Sequence, residues 1–168
     1  RQWGSVRVSA QTPVVTYAII GVCVALWVGD ILTKGVITQY LGFTPIHGLY
    51  QPWRILTTAF LHVNLMHIAF NMVSLYAVGR ALEPALGRGP YFCLYLLSAL
   101  GGTLGVLGWV LIDPSSALTV TVGASGAIFG LFGSVFVLQR AAGIDVRAVA
   151  GLLAVNLLYG FIVSGVSW

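Results

Sequence analysis

Long uncharged segments dominate the pattern of hydrophobic and polar positions along this chain. Five of them, of 22, 25, 24, 26 and 21 residues, are bounded by charged side chains or by the end of the sequence. A helix needs about 20 apolar residues to cross the hydrocarbon core of a bilayer, and each segment is long enough. The pattern therefore predicts five transmembrane helices, near residues 14–32, 61–80, 91–111, 121–139 and 148–166.

The composition supports a membrane protein and excludes two other classes. Of 168 residues, 58% are hydrophobic and only 7% are charged, whereas soluble domains have about 25% charged residues. The eight Lys and Arg residues are scattered, and a nucleic-acid interface needs clustered cations. We therefore expect one all-α, polytopic membrane bundle over residues 1–168, surrounded by the lipid bilayer and without a nucleic-acid partner.

The distribution of cations predicts the orientation, because Lys and Arg concentrate on the cytoplasmic side of membrane proteins. A cytoplasmic N-terminus places six arginines inside and two cations outside. The inner six are Arg1, Arg7, Arg80, Arg88, Arg140 and Arg147, and the outer two are Lys34 and Arg54. We therefore expect a cytoplasmic segment over residues 1–13 and outer connections over residues 33–60 and 112–120.

The connection over residues 33–60 is too apolar for a hydrated loop. Its aromatic and aliphatic side chains are interrupted by glycines and prolines. We expect it to lie in the outer interface of the bilayer, folded against the helices rather than crossing it. Trp53 and Arg54 close the connection, and by themselves they are typical of an interfacial anchor whose guanidinium reaches water.

Strong hydrogen-bonding side chains are costly inside a membrane and need an explanation. In the second predicted helix His67 and Asn71 are four residues apart, so they share a face. With a helix start near residue 60, they would lie about 10 to 16 Å below it. Helix–helix hydrogen bonding is one interpretation and a functional site is the other. His62, about 140° round the helix from His67, is interpreted as an interfacial side chain.

The fourth predicted helix opens with a serine between glycines. Gly126 and Gly130 form the spacing typical of closely packed membrane helices, so packing alone is one interpretation. Ser125, however, would lie at the helix N-terminus, where free amides and the positive end of the dipole can stabilise an oxyanion. A hydroxyl, an imidazole and a carboxamide in the same half of the membrane are the groups that acyl-transfer chemistry uses. The histidines, cysteines and acids form no spacing typical of a metal site, so we expect no metal. A serine hydrolase would polarise the carbonyl with hydrogen bonds, so we also expect no cofactor.

Four segments, in this order along the chain, together resemble the rhomboid family of intramembrane serine proteases. They are Trp53-Arg54, the stretch from His62 to Asn71, the turn from Leu82 to Arg88 that contains Glu83, and Gly123-Ala124-Ser125-Gly126. The resemblance implies a helical bundle that cuts transmembrane segments of other proteins near the membrane surface. It implies Ser125 as the nucleophile and an oxyanion hole formed by His67, Asn71 and the Ser125 amide, with Trp53-Arg54 in an in-membrane first loop. Phe129 departs from the family, which often has tyrosine there.

A larger departure concerns the general base. The family's catalytic histidine lies on a sixth span, in a segment resembling Ala-His-x-x-Gly-Leu, and this sequence ends at Trp168 before such a segment. We therefore expect a fragment that has little activity alone, because a serine without its base loses several orders of magnitude in rate. His67 is a poor substitute, because one imidazole cannot readily be both oxyanion donor and base.

Two other classes stay open at this point. A catalytically silent relative that binds transmembrane helices would share the bundle but would have no use for a serine at a helix N-terminus. A small transporter would line a pathway with polar groups, whereas here these groups cluster in one half of the membrane and no acid lies in the middle of a predicted span. Replacing Ser125 by alanine distinguishes both classes from the protease.

Overall fold

The computed structural model describes residues 12–48 and 50–162, with the surroundings of side chains as far as residue 155. Residues 1–11, most of the predicted cytoplasmic segment, lie outside the described residues. The described part folds into α-helices joined by short connections. These are α1 (Val14–Leu32), α2 (Val36–Leu41), α3 (Pro45–Gly48), α4 (Arg54–Thr57), α5 (Leu65–Leu86), α6 (Arg88–Val110), α7 (Ser125–Ala141) and α8 (Arg147–Ile162).

The predicted all-α class is confirmed for the described residues. Helices α1, α5 and α6 are long and apolar enough to cross a membrane, and α7 is a shorter apolar helix. Helix α8 lies in the fifth predicted range, of which residues 163–166 fall outside the described residues. The core lies where α7 packs against α5 and α6, with α1 against α5.

Helix α5 begins and ends later than predicted. Asn64 caps it, since its side chain accepts a hydrogen bond of 2.8 Å from the His67 amide, and asparagine is among the best residues at this position. The helix therefore starts at Leu65, and His67 lies in its first turn, about 3 Å rather than 10 Å along the axis. The residues from Leu82 are not a turn but the last helical turn, and the chain reverses at Gly87, where φ is +85°.

Helix α5 continues past residue 80 because Glu83 has partners on α1. Its carboxylate is 3% exposed. It accepts hydrogen bonds of 2.8 Å from the amides of Val15 and Thr16 and from the Thr16 hydroxyl. These amides belong to the first turn of α1, where Pro13 supplies no side-chain cap. Glu83 thus provides both the missing acceptor and the negative charge that a helix N-terminus favours.

Replacing Glu83 by alanine is expected to destabilise the protein by about 3 kcal/mol, because buried amides and a hydroxyl lose a charged acceptor. Glutamine keeps one carbonyl acceptor, so Glu83→Gln should lose about half as much. Unfolding by SDS titration in detergent micelles measures both. The exposed acid Asp145 is the control. Its Oδ1 accepts a hydrogen bond of 2.9 Å from the Arg147 amide and lies 3.9 Å from the Arg147 guanidinium. Asparagine keeps that acceptor and an exposed ion pair contributes little, so Asp145→Asn should change nothing measurable. Equal stability of Glu83→Ala and wild type would contradict this role.

The connection over residues 33–60 is folded rather than extended. Arg54, 7% exposed, does not reach water as an anchor would. Its guanidinium donates to the carbonyls of Gln39, at 2.8 Å, and Gly42, at 2.6 Å, and to the Gln51 side chain. The interpretation of Arg54 as a snorkelling side chain is therefore wrong. Trp53, by contrast, is half exposed, as an interfacial aromatic would be.

The same connection supports the start of α7. Phe43 and Thr121 exchange two backbone hydrogen bonds, of 3.1 and 2.7 Å. Residues 121–123 consequently lie outside any helix, Ala124 forms a turn, and α7 begins at Ser125 instead of near residue 121.

Glycines allow α7 to approach α6 closely. A β-carbon on Gly126 would lie 3.1 Å from the Gly102 Cα atom, and one on Gly130 would lie 2.1 Å from the Ser98 hydroxyl. The packing interpretation of Gly126 and Gly130 is therefore correct. It leaves the role of Ser125 open, because that residue lines a cavity beside the helix crossing.

Candidate active site

Ser125 is the first residue of α7, at the helix N-terminus as predicted. The cap position is Ala124, which has no side chain to accept a hydrogen bond from the first-turn amides. In contrast, α5 is capped by Asn64 and α1 by Glu83. The positive end of α7 is thus left without a side-chain cap at the residue that bears the hydroxyl, which is the arrangement that favours a developing negative charge.

Thr58 holds the segment that leads into Ser125. Its carbonyl accepts a hydrogen bond of 3.0 Å from the Gly123 amide, and its hydroxyl donates to the Thr121 carbonyl. Thr58 belongs to a 3₁₀ turn, Thr58–Phe60, just before α5. The segment that presents Ser125 is therefore fixed by the same connection that leads to His67. Sequence reasoning missed Thr58, because nothing in the sequence pairs it with residues more than 60 positions away.

Gly123 brings the histidine and the serine to one place. Its φ angle is +130°, which side chains rarely adopt. A β-carbon here would lie 2.8 Å from both Cε1 and Nε2 of His67 and 3.7 Å from the Ser125 hydroxyl. The Cε1–Nε2 edge of the imidazole and the serine hydroxyl therefore border the same space. Only a glycine permits this approach, for steric and for backbone reasons.

Asn71 follows His67 by one helical turn on α5, on the shared face that the spacing predicted. It is 4% exposed, and its Nδ2 atom has no hydrogen-bond partner among the described residues. A buried amide donor without a partner is costly. Within the described part of the chain, this donor therefore makes no hydrogen bond to a neighbouring helix. It is available to bind an incoming acceptor.

His62 is buried, so its interpretation as an interfacial side chain is wrong. It is 2% exposed, and its ring stands edge-on to the His67 ring with the centroids 5.0 Å apart. It lies in the connection before α5, two residues ahead of the Asn64 cap. Burial lowers the pKa of His62 to about 3, with a further lowering from His67 and an opposite effect from the Phe60 carbonyl. The imidazole is therefore neutral at physiological pH.

A cavity of about 150 Å³ adjoins Ser125 on the side of α6. Its walls include Gly123, Phe129 and the polar side chains of Thr58, Thr103 and Thr121. The Thr121 hydroxyl is buried without a hydrogen-bond partner among the described residues. A cavity of this size with hydroxyl groups in its wall is suited to hold water next to the serine.

Two further observations concern the remaining histidine and the grouping of possible metal ligands. His47, the remaining histidine of the sequence, is exposed on α3, in the connection that precedes α4. Across the described residues, no three His, Cys, Asp or Glu side chains are arranged to hold a metal ion.

Comparisons with known proteins identify a family that resembles this chain in sequence. The family model described as "Rhomboid domain" matches residues 49–168. Rhomboid protease GluP of Bacillus subtilis is 33% identical over 122 residues, which are 68% of this chain and 22% of that protein. Rhomboid protease GlpG of Yersinia enterocolitica is 29% identical over 154 residues, 89% of this chain and 52% of that protein.

A third relative, rhomboid protease AarA of Providencia stuartii, is 33% identical over 88 residues, 47% of this chain and 31% of that protein. The chain thus spans about half or less of the length of these three relatives. The family match covers most of the chain, and its apolar helices are those of a membrane-embedded protein. This chain belongs to the rhomboid family.

Proposed function

We propose that the protein is an intramembrane serine endopeptidase that cuts transmembrane segments of other membrane proteins, with Ser125 as its nucleophile. One observation supports this most strongly: the imidazole edge of His67 and the Ser125 hydroxyl border the same space beside Gly123, at the N-terminus of α7 that no side chain caps. A packing serine would need neither the histidine beside it nor a glycine of positive φ two residues earlier.

In the proposed reaction the Ser125 oxygen attacks the carbonyl carbon of the scissile peptide bond, and its proton passes to a general base. The carbonyl oxygen becomes an oxyanion, which accepts hydrogen bonds from His67 Nε2, Asn71 Nδ2 and the Ser125 amide. The base then returns the proton to the leaving amine as the C–N bond breaks, leaving an acyl-enzyme on Ser125. Water from the cavity beside Ser125 hydrolyses the ester and restores the hydroxyl.

We place the general base on a histidine beyond Trp168. His47 is exposed on α3, and His62 is buried next to His67. His67 directs the edge that bears Nε2 toward Gly123, which suits an oxyanion donor. Catalysis by the proposed mechanism therefore needs the complete protein, and residues 1–168 alone should have little activity.

The proposed substrate class and location follow from the surroundings of the site. Ser125 and His67 both lie in the first turn of their helices, α7 and α5, at one end of the bundle. The distribution of arginines supports an extracytoplasmic position for that end, with the N-terminus in the cytoplasm. We propose a multi-pass protein of the cell membrane that cuts its substrates near the outer surface without a cofactor, and a first loop, residues 33–60, that is embedded in the interface.

The test is cleavage of single-span membrane proteins by the complete protein in proteoliposomes. We expect two fragments, with the cut near one membrane surface. Replacing Asn71 by alanine should lower kcat about 10²- to 10³-fold, as the loss of one oxyanion donor does, without unfolding, since the lost donor has no partner among the described residues. Val73→Ala, at an exposed position of the same helix, is the control. Full activity of folded Asn71→Ala would contradict the oxyanion role, and uncut substrates that stay bound would favour a helix-binding relative.

A further inference from the structure

His62, two residues before the Asn64 cap of α5, has buried ring nitrogens whose role is unexplained. Both of its ring nitrogens are buried and neither makes a well-formed hydrogen bond to a described residue, and the same holds for Nδ1 of His67. The Phe60 carbonyl influences the pKa of His62 and is the competing acceptor considered below. A buried polar atom without a partner is destabilising relative to a satisfied one. A phenylalanine would fill the same space without that cost, so the nitrogens of His62 need an explanation that packing does not provide.

The two imidazoles are within reach of a direct hydrogen bond. Their ring centroids are 5.0 Å apart and the planes are inclined by 63°. Two imidazoles joined by an N–H···N bond of about 3 Å have ring centres about 5 Å apart, because each nitrogen lies near the edge of its ring. The separation of the rings therefore matches that of a hydrogen-bonded pair of imidazoles.

The direction of that bond determines which nitrogen of His67 holds the proton. A neutral imidazole has one N–H, and the hydrogen bond made by one nitrogen fixes the protonation of the other. A proton on Nδ1 would leave a lone pair on Nε2, the atom whose edge faces Gly123 and Ser125, and this lone pair would repel an oxyanion. A proton on Nε2 makes His67 a donor there, and it requires a donor to Nδ1.

We propose that His62 is a positioning residue, which donates a hydrogen bond to Nδ1 of His67 and so holds the His67 proton on Nε2. This inference rests on the proposed function, because it takes His67 as the oxyanion donor. His62 touches neither substrate nor Ser125 in this role, and it acts only through the tautomer and orientation of His67. The competing arrangement has His62 donate to the Phe60 carbonyl and accept from Nδ1 of His67, which would give the opposite tautomer.

The test is ¹⁵N NMR of the complete protein, labelled at histidine and held in lipid bicelles. Nitrogen chemical shifts distinguish the protonated from the unprotonated ring nitrogen, and His67→Asn identifies the His67 signals. In wild type we expect His67 protonated on Nε2, with a coupling from a His62 N–H to Nδ1 of His67. A wild-type spectrum with the proton on Nδ1 overturns the inference, and this result does not depend on any variant folding.

Two substitutions extend the test to catalysis. His62→Phe keeps an aromatic ring but removes the imidazole N–H donor. The Nδ1–H tautomer of His67 should therefore appear, and kcat should fall about tenfold or more with little change in KM. His62→Gln restores a donor and should recover part of kcat. His47→Phe, at an exposed position on α3, is the control and should change neither quantity.

An unchanged His67 tautomer in His62→Phe would also overturn the inference. Failure here is distinguishable from failure of the proposed function. If Ser125 and Asn71 are required for cleavage while the tautomer does not depend on His62, the protease stands and the positioning role falls. If wild type cuts nothing but shows the expected coupling, the hydrogen bond stands and the protease falls.

Discussion

Replacing Ser125 by alanine is expected to abolish proteolysis by the complete protein, with a loss of at least about 10⁴-fold in kcat. The proposed reaction forms its covalent bond at this hydroxyl, so no neighbouring group can take its place. The fold should be unaffected, because alanine is the best helix former and the structure shows no hydrogen bond from this hydroxyl to a described residue that the substitution would break. Cleavage of a single-span substrate in proteoliposomes measures the loss, and unfolding in micelles measures stability.

Ser134 provides the matched control on the same helix. Its hydroxyl donates a hydrogen bond of 2.9 Å to the Gly130 carbonyl within α7, which is a local role. Ser134→Ala should therefore retain full activity. Folded Ser125→Ala protein that still cuts substrate at more than a few per cent of the wild-type rate would show that the nucleophile lies elsewhere.

Replacing Gly123 by alanine is expected to lower kcat about 10²- to 10³-fold, the second largest effect, because it disturbs His67 and the approach to Ser125 together. The added methyl group would lie 2.8 Å from Cε1 and Nε2 of His67, so the ring must move away. The φ angle of +130° adds backbone strain of about 1 to 3 kcal/mol. Activity and unfolding are measured as for Ser125.

Gly133 is the control for this substitution. It lies within α7, and a β-carbon there would meet nothing within 4 Å. Gly133→Ala should therefore keep full activity and raise stability by about 0.5 to 1 kcal/mol, as expected for alanine in a helix interior. If Gly123→Ala is as active as Gly133→Ala, the close approach of His67 to residue 123 is not part of the site.

Local patterns in the sequence predicted the parts of the site that depend on short spacing. His67 and Asn71 share a face because they are four residues apart, and Ser125 begins a helix. The uncharged segments predicted the long helices, since length and hydropathy alone decide whether a helix can span a bilayer.

The parts that were missed depend on contacts between distant residues. Arg54 is buried because its guanidinium donates to the carbonyls of Gln39 and Gly42. Without knowledge of these partners, a cation in an apolar segment is interpreted as a surface anchor. Helix α5 continues through Glu83 because its carboxylate accepts hydrogen bonds from amides of α1, more than 60 residues earlier in the chain. Asn64 could have been recognised as a cap, because asparagine three residues before His67 is a favoured helix start.

The burial of His62 was missed for a related reason. Placed on a helix that began near residue 60, it fell on a different face from His67. Once α5 begins at Leu65, His62 lies in the preceding connection and its ring meets His67 edge-on. A shift of a few residues in one helix boundary thus converts a presumed surface side chain into a neighbour of the proposed oxyanion donor.

The measurement that tests the nucleophile most directly is labelling of the folded, complete protein with a fluorophosphonate, followed by mass spectrometry of its peptides. This probe reacts with a serine only when the hydroxyl is activated and an oxyanion hole accepts the phosphoryl oxygen. We predict one modified peptide, with the adduct on Ser125, and no adduct in Ser125→Ala. A folded protein that cuts its substrate while Ser125 stays unmodified, or that is labelled at another serine, would contradict the proposed site.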